Sequence, residues 1–404
     1  MVVAAFATLV GLAAPGSASA VGGHANVWVD PDGGSCKRTG ARRSYGDGRA
    51  CRGLGPAYRA AEAGDKIVIA PGKYGRQFIP GGHKAVRFES ARRSRPLLGP
   101  TKVSASNIEL VGVTIRRTGD PWGATAATLH VEGDRNLLGR VRVNSLDRPE
   151  RQGIFADGDW NVFQRGSTYN VVDEKGALVG GAHTTFNHFK FHDVRLTSST
   201  VHNECVYSNG PNLTIKNSHF WQCATVDLFV TRGDWWGQPL YGGVTLINNV
   251  FEHATMEGSR SWHYYSLGIN GGVIQEMRNW KVVNNTFETA VGGSDTPAPG
   301  TIWANNVGTW SCFPLATFSH NVGKKCSGSD KRVSPAASCG PPACGSRVTA
   351  AQKWVNPRRH NFHLKRGAPA INAASEKYAP TRDKDGKRRG RGTRPEAGAY
   401  EYRR

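Results

Sequence analysis

The hydrophobic pattern of this chain is a recurring phrase in which apolar and polar residues alternate briefly, followed by one or two Asn and then Phe or Val. The clearest copies are residues 213–220, 244–251, 280–287 and 301–307. Alternation with a period of two predicts β-strands, and no helical period separates the copies. Their spacing lies within the roughly 20 to 50 residues that mark a solenoid, so the sequence predicts stacked β coils.

The Asn residues in these copies indicate which solenoid this is. If the coils stack, Asn217, Asn248, Asn284 and Asn305 lie above one another at about 4.8 Å, and each amide can bond the next. Such an inward ladder would satisfy buried polar groups at a sharp turn. In this feature the chain resembles the right-handed parallel β-helix proteins of the pectate-lyase-like superfamily.

That resemblance covers most of residues 65–320 and concerns architecture, since the fold carries lyases, hydrolases, adhesins and proteins without activity. It implies an all-β, single-stranded right-handed parallel β-helix of roughly eight to ten coils. Leu54, Tyr58 and Ala61 share one face of a short helix ending near Gly64, similar to the N-terminal capping helix of secreted β-helix proteins. Residues 383–402 resemble the closing segment of bacterial ones.

The chain therefore divides into four regions. Residues 1–20 are a signal peptide, 21–64 an N-terminal cap, 65–322 the β-helix, and 323–404 a disulfide-bearing loop with a C-terminal closing segment. The signal is largely apolar and ends Ala18-Ser19-Ala20, which is typical of cleavage after Ala20, although an N-terminal Lys or Arg is missing. Its apolar run is too short to span a membrane, so we expect a secreted protein.

Eight cysteines fit that location. They fall in sequence-near pairs without a CxxC motif, which favours disulfides over zinc, although the count alone permits many connectivities. The expected disulfides are Cys36–Cys51, Cys205–Cys223, Cys312–Cys326 and Cys339–Cys344. Because a capped parallel stack has no long unpaired edge, we expect a monomer.

The formal charge of +21 indicates the class of partner. Outside a cell, a basic surface attracts polyanions, chiefly acidic polysaccharides, teichoic acids or free DNA, but the same charge surplus also serves solubility alone. No phosphate-cradling glycine motif occurs, which argues against a nucleotide partner.

Three insertions, at residues 166–185, 232–243 and 255–272, interrupt the coils and are expected to build a wall on one face. The last two are rich in aromatic rings, which stack on sugars when exposed; the alternative is that they cover the flank of the coil. The expected sugar-binding residues are Trp235, Trp236, Tyr241, Trp262, Tyr264 and Arg232.

Two carboxylates form the candidate catalytic group. Aligning the coils places Gln152, Glu204 and Asp227 in one column, with Glu204 and Asp227 about 5 Å apart if both face outward. That separation suits Ca²⁺, sugar hydroxyls or an acid/base pair, with His202 as a partner of Glu204. The alternative is that one or both carboxylates bond the backbone of a neighbouring turn.

Residues 204–215 also resemble the stretch of β-helix alginate and chondroitin lyases that holds a calcium-binding Glu and, five residues later, the catalytic Lys. The Lys position is Asn209 here, and an amide cannot abstract a proton. A lyase would have to use one of the other cations, Lys190, Lys216, Arg232 or Arg195. The Asp-Asp pair and Gly-His-Gly segment of polygalacturonases are missing from the sequence.

The sequence therefore predicts binding of an acidic extracellular or cell-wall polysaccharide, with cleavage by β-elimination left open and hydrolysis less favoured. Calcium is the one cofactor it suggests. The rival is a non-catalytic surface or envelope β-helix that recognises glycan or protein without turnover.

Overall fold

A computed structural model describes most of the chain. The described residues are 22–118, 127–149, 152–197, 203–231, 242–252, 265–270, 274, 276–292, 296–308, 313, 315–323, 347–348, 352–390 and 394–403.

The described residues form short strands with little helix. In chain order the strands are β1 Val27–Val29, β2 Lys66–Ile69, β3 Gln77–Ile79, β4 Val86–Ser90, β5 Leu97–Leu98, β6 Thr101–Val103, β7 Ile108–Val111, β8 Thr114–Arg116, β9 Ala127–Val131, β10 Leu137–Gly139, β11 Arg142–Asn144, β12 Gln152–Ala156, β13 Val162–Gln164, β14 Ser167–Val172, β15 Ala177–Val179, β16 Thr185–Asn187 and β17 Lys190–Arg195. They continue with β18 Val206–Ser208, β19 Thr214–Lys216, β20 His219–Cys223, β21 Val226–Val230, β22 Thr245–Ile247, β23 Val250–Phe251, β24 Tyr265–Ile269, β25 Lys281–Val283, β26 Thr286–Phe287, β27 Ala290–Val291, β28 Ile302–Ala304, β29 Val307–Gly308, β30 Thr317–Ser319, β31 Val322–Gly323, β32 Arg347–Val348, β33 Trp354–Asn356 and β34 Asn361–Leu364. The helices are α1 Leu54–Ala60 and two 3₁₀ turns, Asp47–Arg49 and Pro357–Arg359.

Three parallel sheets run the length of the stack. Sheet I has twelve strands, in the order β1-β2-β4-β7-β10-β13-β16-β19-β22-β25-β28-β30; sheet II has eleven, from β5 to β32; sheet III has nine, from β3 to β27. The chain visits sheets I, II and III in turn, which gives eight complete coils from β4–β6 to β25–β27. The predicted all-β parallel solenoid is confirmed, and its coil count lies at the lower end of the predicted range.

Like side chains stack on one another inside the coils. Phe191, Phe220, Phe251 and Phe287 form a continuous column with ring centroids 4.6, 4.6 and 4.9 Å apart. All four are almost fully buried. Offset stacking of this kind adds to the hydrophobic gain from burial, so each coil is stabilised chiefly by its two neighbours.

The turn between sheets I and II carries two Asn columns. The predicted residues Asn217, Asn248, Asn284 and Asn305 all adopt left-handed φ values of 55° to 58°. Part of the predicted stacking is present, because Asn248 donates to Asn217 at 3.2 Å and Asn305 to Asn284 at 3.2 Å. Asn248, Asn284 and Asn305, however, also bond the C-terminal segment, so the prediction that this column faces inward is wrong.

The inward ladder lies one residue later. Asn249, Asn285, Asn306 and Asn321 are fully buried or nearly so. The backbone N–H of each of the first three donates to the side-chain oxygen of the next at 2.9 Å. Their amide nitrogens donate to carbonyls of the preceding coil, such as Leu246 O from Asn285 at 2.9 Å. The second Asn of each phrase thus supplies the buried hydrogen bonds.

The N-terminal helix α1 ends at Ala60, earlier than the predicted Gly64. Its buried residues include Leu54, Ala57 and Tyr58, and it contacts β1 and β3. The side-chain oxygen of Gln77 in β3 accepts the Leu54 N–H at 2.8 Å, which satisfies one free donor of the first turn.

The C-terminal segment, defined as residues 352–403, packs along the outer face of sheet II. Phe362, Ala399 and Tyr400 pack on Val250, and the antiparallel pair β33–β34 lies in this segment. Buried Arg389 donates to Asn248 Oδ1 at 2.9 Å and to Glu401 Oε1 at 2.7 Å. The segment therefore covers the side of the later coils.

Two of the predicted disulfides are confirmed. Cys36–Cys51 and Cys205–Cys223 have S–S distances of 2.01 and 2.00 Å. The other two predicted pairs lie outside the described residues. The first predicted insertion, residues 166–185, is wrong, because it contains β14 and β15 of a regular coil. In the part of the chain that is described, no helix has the length and apolarity to cross a membrane.

Candidate functional site

The predicted pairing of Glu204 with Asp227 is wrong by one residue. Val206 pairs with Leu228 and Tyr207 with Phe229, so Asp227 lies beside Cys205. The alignment of Gln152 with Glu204 is preserved, with one coil between them. Because side chains alternate with a period of two, a slip of one residue moves a side chain to the other face.

Neither carboxylate faces solvent. Glu204 and Asp227 are each 2% exposed, so an exposed pair with access to sugar or Ca²⁺ is contradicted. Burial raises the pKa of Asp227 well above its usual value, nearby Glu252 and Glu288 add to the rise, and a hydrogen bond from Ser266 opposes it. Asp227 therefore bonds the hydroxyl of Ser266, whereas the alternative expected a bond to the backbone of a neighbouring turn.

Metal-binding geometry occurs elsewhere among the described residues. Asp30, Asp32 and Asp47 bring three ligand oxygens within 4.8 Å of one another. Two of these carboxylates already accept a hydrogen bond from Tyr45, at 2.8 Å each. The remaining predicted site residues lie outside the described parts of the chain: His202, Arg232, Trp235, Trp236, Tyr241, Trp262 and Tyr264.

Sheet III instead presents a continuous outer row with one side chain per coil. The row consists of Lys102, His130, Phe155, Leu178, Tyr207 and Phe229. His130 stacks on Phe155 with ring centroids 4.7 Å apart, and Tyr207 lies 5.5 Å from Phe229. Strand alternation directs these side chains away from the core, because their neighbours, such as Val206 and Leu228, fill it. His130 and Phe155 are nevertheless buried, at 6% and 2% exposed, whereas Leu178, Tyr207 and Phe229 are partly exposed.

A second, polar row lies two residues further along each strand. Its members are Ser104, Glu132, Asp157, Gly180, Asn209, Thr231 and Asn270. The backbone N–H groups of Asp157, Gly180 and Asn209 each bond a residue of the preceding coil, which sets the three in register. The polar row therefore runs beside the outer row along the whole sheet.

Gly180 creates a notch in the polar row. A Cβ at Gly180 would come 3.1 Å from Asp157 Oδ1 and 3.8 Å from Asn209 Oδ1. Both oxygens therefore border the same space. Asn209 Oδ1 is out of contact with solvent and accepts no hydrogen bond from the described residues. We call Asp157, Gly180, Tyr207 and Asn209 the sheet III notch.

The two carboxyl groups near the notch, those of Asp157 and Glu132, have pKa values shifted in opposite directions. Burial, together with the charges of Glu132 and Asp159, raises the pKa of Asp157. Glu132 instead binds Lys102 Nζ at 2.5 Å and accepts from Ser104 at 2.7 Å, and these contacts outweigh burial and lower its pKa. Asp157 is thus the better proton acceptor at neutral pH.

Two further side chains adjust the protonation of this face. Burial lowers the pKa of His130 to about 4, so its imidazole is neutral at physiological pH. Burial and nearby Glu204 raise the pKa of Tyr207, which keeps its phenol protonated. The Lys175 ammonium lies 5.7 Å from the Tyr207 ring centroid.

An exposed indole stands close to Asp157 in the chain. Trp160 is 50% exposed and stacks on His183 with centroids 3.7 Å apart. It lies in the turn from sheet III to sheet I, in left-handed conformation at a φ of 60°. Trp160 was not among the residues expected to bind sugar, because those came from the aromatic residues of the insertions. The neighbouring Gly158 and Asp159 are typical of a turn and could have indicated an exposed position.

The alternative catalytic cations do not lie on sheet III. Lys190 and Arg195 belong to β17 of sheet II, and Lys216 ends β19 of sheet I. Arg195 lies 3.6 Å from Asp147. Arg232 lies outside the described residues, so the described part of the chain offers none of these four at the notch.

Comparisons with known proteins give matches among solved structures, all at low sequence identity. A scan against models of protein families finds no match, and a search of curated proteins finds none either. Among solved structures, pectate lyase Pel9A matches with a TM-score of 0.49 and 14% identity over 93% of this chain and 96% of that one. The alginate lyase from Paenibacillus sp. str. FPU-7 gives 0.46 and 14% over 66% and 94%.

The PL6 family polysaccharide lyase Pedsa3628 from Pseudopedobacter saltans gives a TM-score of 0.46 and 12% identity over 80% of this chain and 97% of that one. The three-sheet stack of this chain is a parallel β-helix. Likeness at this level carries no argument about chemistry, so the function is argued from the chain's own side chains.

Proposed function

We propose that the protein is secreted and binds a linear acidic extracellular or cell-wall polysaccharide along the outer face of sheet III. The observation that carries this proposal is the outer row of rings beside a polar row, with the sheet III notch between Asp157 and Asn209. A carbohydrate needs apolar surface for its C–H faces and convergent polar groups for its hydroxyls. Both kinds of group meet on the coils of β18 and β21, where partly exposed Tyr207 and Phe229 precede Asn209 and Thr231, whereas the rings of His130 and Phe155 are buried.

Trp160 extends this surface. Its half-exposed indole follows Asp157 by three residues, so a sugar bound at the notch has a stacking partner at the edge of the sheet. The predicted aromatic contacts Trp235, Trp236, Tyr241, Trp262 and Tyr264 stay predictions, as does Arg232.

Cleavage by β-elimination is a second function, favoured by the three groups around the notch. Asp157 would take the proton from the carbon beside a uronate carboxylate, while Asn209 Oδ1, which borders the notch, accepts from a sugar hydroxyl. The bond from the ring to the glycosidic oxygen then breaks as a carbon–carbon double bond forms. Tyr207, held protonated, would give its proton to the leaving oxygen. The rival is recognition of glycan or protein without turnover.

The test is to incubate the purified protein with polyuronates and sulfated glycans. Ultraviolet absorbance reports unsaturated products, a reducing-end assay reports hydrolysis, and calorimetry reports binding. Unsaturated products would support elimination, and binding without product would support the rival. Absence of binding to every glycan of the panel would refute the proposal.

Substitutions connect the result to the notch. Gly180→Val fills the space beside Asp157 and Asn209 and is expected to weaken glycan binding about tenfold or more. Tyr207→Phe is expected to abolish elimination with little change in affinity. Tyr169→Phe is the matched control, because Tyr169 is also half-buried but lies on sheet II. Equal effects of the two Tyr changes, or full affinity in Gly180→Val, would contradict the assignment.

Several finer features belong to the same proposal. We propose that α1 caps the first coil, that the coil is right-handed, and that residues 1–20 are a signal peptide cleaved after Ala20. The two observed disulfides support an oxidising location. The protein is proposed to be monomeric and to use calcium only if the glycan carries it.

A further inference from the structure

The turn between sheets I and II carries cations on five of the six coils from β4 to β21, the coil of Gly112 being the exception. These residues, which we call the basic ridge, are Arg92, Arg93, Arg95, Arg140, Arg142, Arg165, Lys190 and Lys216. All but Lys216 are exposed. The ridge lies on a different edge of the coil from the sheet III notch.

The ridge cations lack acidic partners. In the described part of the chain, none of the eight has a carboxylate oxygen within 4.0 Å. Cations on the outer face of sheet I differ, because Lys66 contacts Glu89 at 2.6 Å and Arg87 contacts Glu109 at 2.5 Å. The charge surplus is therefore concentrated along this turn, where it creates a positive potential.

A groove opens at the N-terminal end of the ridge. It has a volume of about 510 Å³ and is bordered by Arg92, Arg93, Arg95 and Arg140, with Gly112 between the coils and the paired Lys66 and Glu89 at its side. Gly112 has a φ of +83°, and a Cβ there would come 2.4 Å from Ser90 Oγ. Only glycine satisfies both constraints, so the space between the guanidinium groups stays open.

The Arg95 guanidinium is held in place without an anion. Arg95 donates to the Arg140 carbonyl at 2.8 Å, which links two turns that are separated by the coil of Gly112. Burial and the nearby charges of Arg142 and Arg140 lower the pKa of Arg95. Like charges packed this closely are destabilising unless an anion joins them, and planar guanidinium forks fit carboxylate and sulfate.

We infer that the basic ridge is a second binding surface, which holds successive carboxylate or sulfate groups of a linear acidic polysaccharide and seats one of them in the Gly112 groove. Coils repeat at about 4.8 Å, so the cations form a line, interrupted at the coil of Gly112, that suits one extended chain carrying repeated charges. The inference stands independently of the sheet III notch.

The neighbouring rings disfavour a nucleic acid. Tyr169, His192 and Trp221 lie beside the ridge on sheet II and stack on one another at 5.0 and 4.3 Å with nearly parallel planes. Their faces are covered by one another, so bases of a single strand have no platform there. At its other end the ridge meets Lys384 and Asp385 of the C-terminal segment, which border a pocket with Lys190.

The test removes three ridge charges. Arg140→Asn, Arg142→Gln and Arg165→Asn are combined, with Asn at the two positions whose φ values are 52° and 56°, because Asn tolerates the left-handed region. The control combines Arg135→Asn, whose φ is 54°, with Arg358→Gln and Arg359→Gln. All three control positions are exposed, and the net charge of the two variants is equal.

Calorimetry at low salt measures the affinity for heparin and for polygalacturonate. For at least one of these glycans, we expect the ridge variant to lose at least tenfold in affinity, while the affinity of the control variant changes little. The dependence of affinity on salt should also become shallower, because fewer counterions are released. Equal losses in the two variants, or no loss in either, would overturn the inference. The inference would also be overturned if wild type bound duplex or single-stranded DNA more tightly than both glycans and the ridge variant lost that binding.

Failure of the sheet III proposal would give a different result. If only the notch proposal is wrong, Gly180→Val keeps full affinity while the ridge variant loses it. Thermal unfolding of each variant confirms that the loss arises in a folded protein.

Discussion

At the scale of single residues, Glu252 shows how this fold uses a buried carboxyl group. It follows β23 on the outer face of sheet II and is 5% exposed. Its two oxygens contact His219 Nε2 and, at 2.6 Å, His360 Nδ1 of the C-terminal segment. Burial and the nearby charge of Glu288 raise the pKa of Glu252 to about 9, and burial lowers the pKa of both histidines. The cluster is therefore neutral at physiological pH, with the proton on Glu252.

This protonation predicts a pH dependence of stability. Folded Glu252 keeps a proton that the unfolded chain releases near pH 4.5, so its contribution is complete below that pH and is lost as pH rises to about 9. Glu252→Gln keeps the neutral form at every pH. We expect wild type to lose at least about 1 kcal/mol more than Glu252→Gln between pH 7 and pH 9.

Urea unfolding at several pH values measures this difference. The histidines do not interfere above pH 7, because they are neutral in the folded and unfolded chain. Lys384, whose pKa burial lowers to about 8, acts in the opposite sense in both proteins. Parallel pH curves for wild type and Glu252→Gln would show that Glu252 is ionised in the folded state.

At the scale of elements, the C-terminal segment is held by contacts that are distant in sequence. Arg389 is buried and donates to Glu401 Oε1 at 2.7 Å, to Asn248 Oδ1 at 2.9 Å and to Gly398 O at 2.8 Å. It thus joins two irregular stretches of the segment to the outer Asn column. A buried charge with this many partners is costly to remove from one side only.

Arg389→Ala is therefore expected to lower the free energy of unfolding by about 3 to 5 kcal/mol, since it leaves Glu401 and Asn248 without their partner. Limited proteolysis should cleave residues 352–403 while the earlier coils stay resistant. Arg388→Ala is the control, because Arg388 is the exposed neighbour. Equal protease resistance of the two variants would contradict the proposed docking role.

At the scale of the whole molecule, the stability of each coil depends on its two neighbours, because each coil contacts mainly those two. Cys205–Cys223 joins the coil of β18 to that of β20 across 18 residues of sequence, and both cysteines are fully buried. The cross-link restricts the unfolded chain and stands in the middle of the stack.

Replacing both Cys205 and Cys223 by Ala is expected to cost about 3 kcal/mol of unfolding free energy, from the entropy of the closed loop. Guanidinium unfolding measures it, and the Cys36→Ala, Cys51→Ala variant is the comparison for an end of the stack. In wild type, a thiol reductant without denaturant should open Cys36–Cys51 first, because Cys36 is partly exposed. Equal reduction rates for the two bonds would contradict this order.

The sequence by itself determined the solenoid, because the strand phrase repeats and each copy pairs with the next through local alternation. It also predicted Cys36–Cys51 and Cys205–Cys223 from nearness in sequence, among the many connectivities that eight cysteines permit, and the structure confirmed both. Neighbouring Asn pairs indicated the turn between sheets I and II.

Only the tertiary structure decided which face each polar side chain occupies. The one-residue register difference buried Asp227, and the later Asn of each pair became the inward one. Contacts such as Asn248 with Arg389, 141 residues apart, covered the outer Asn column. Because side chains on a strand alternate with a period of two, the strand register decides which face of the sheet each side chain occupies. Packing between coils and segments that are distant in sequence fixes both this register and the docking of the C-terminal segment.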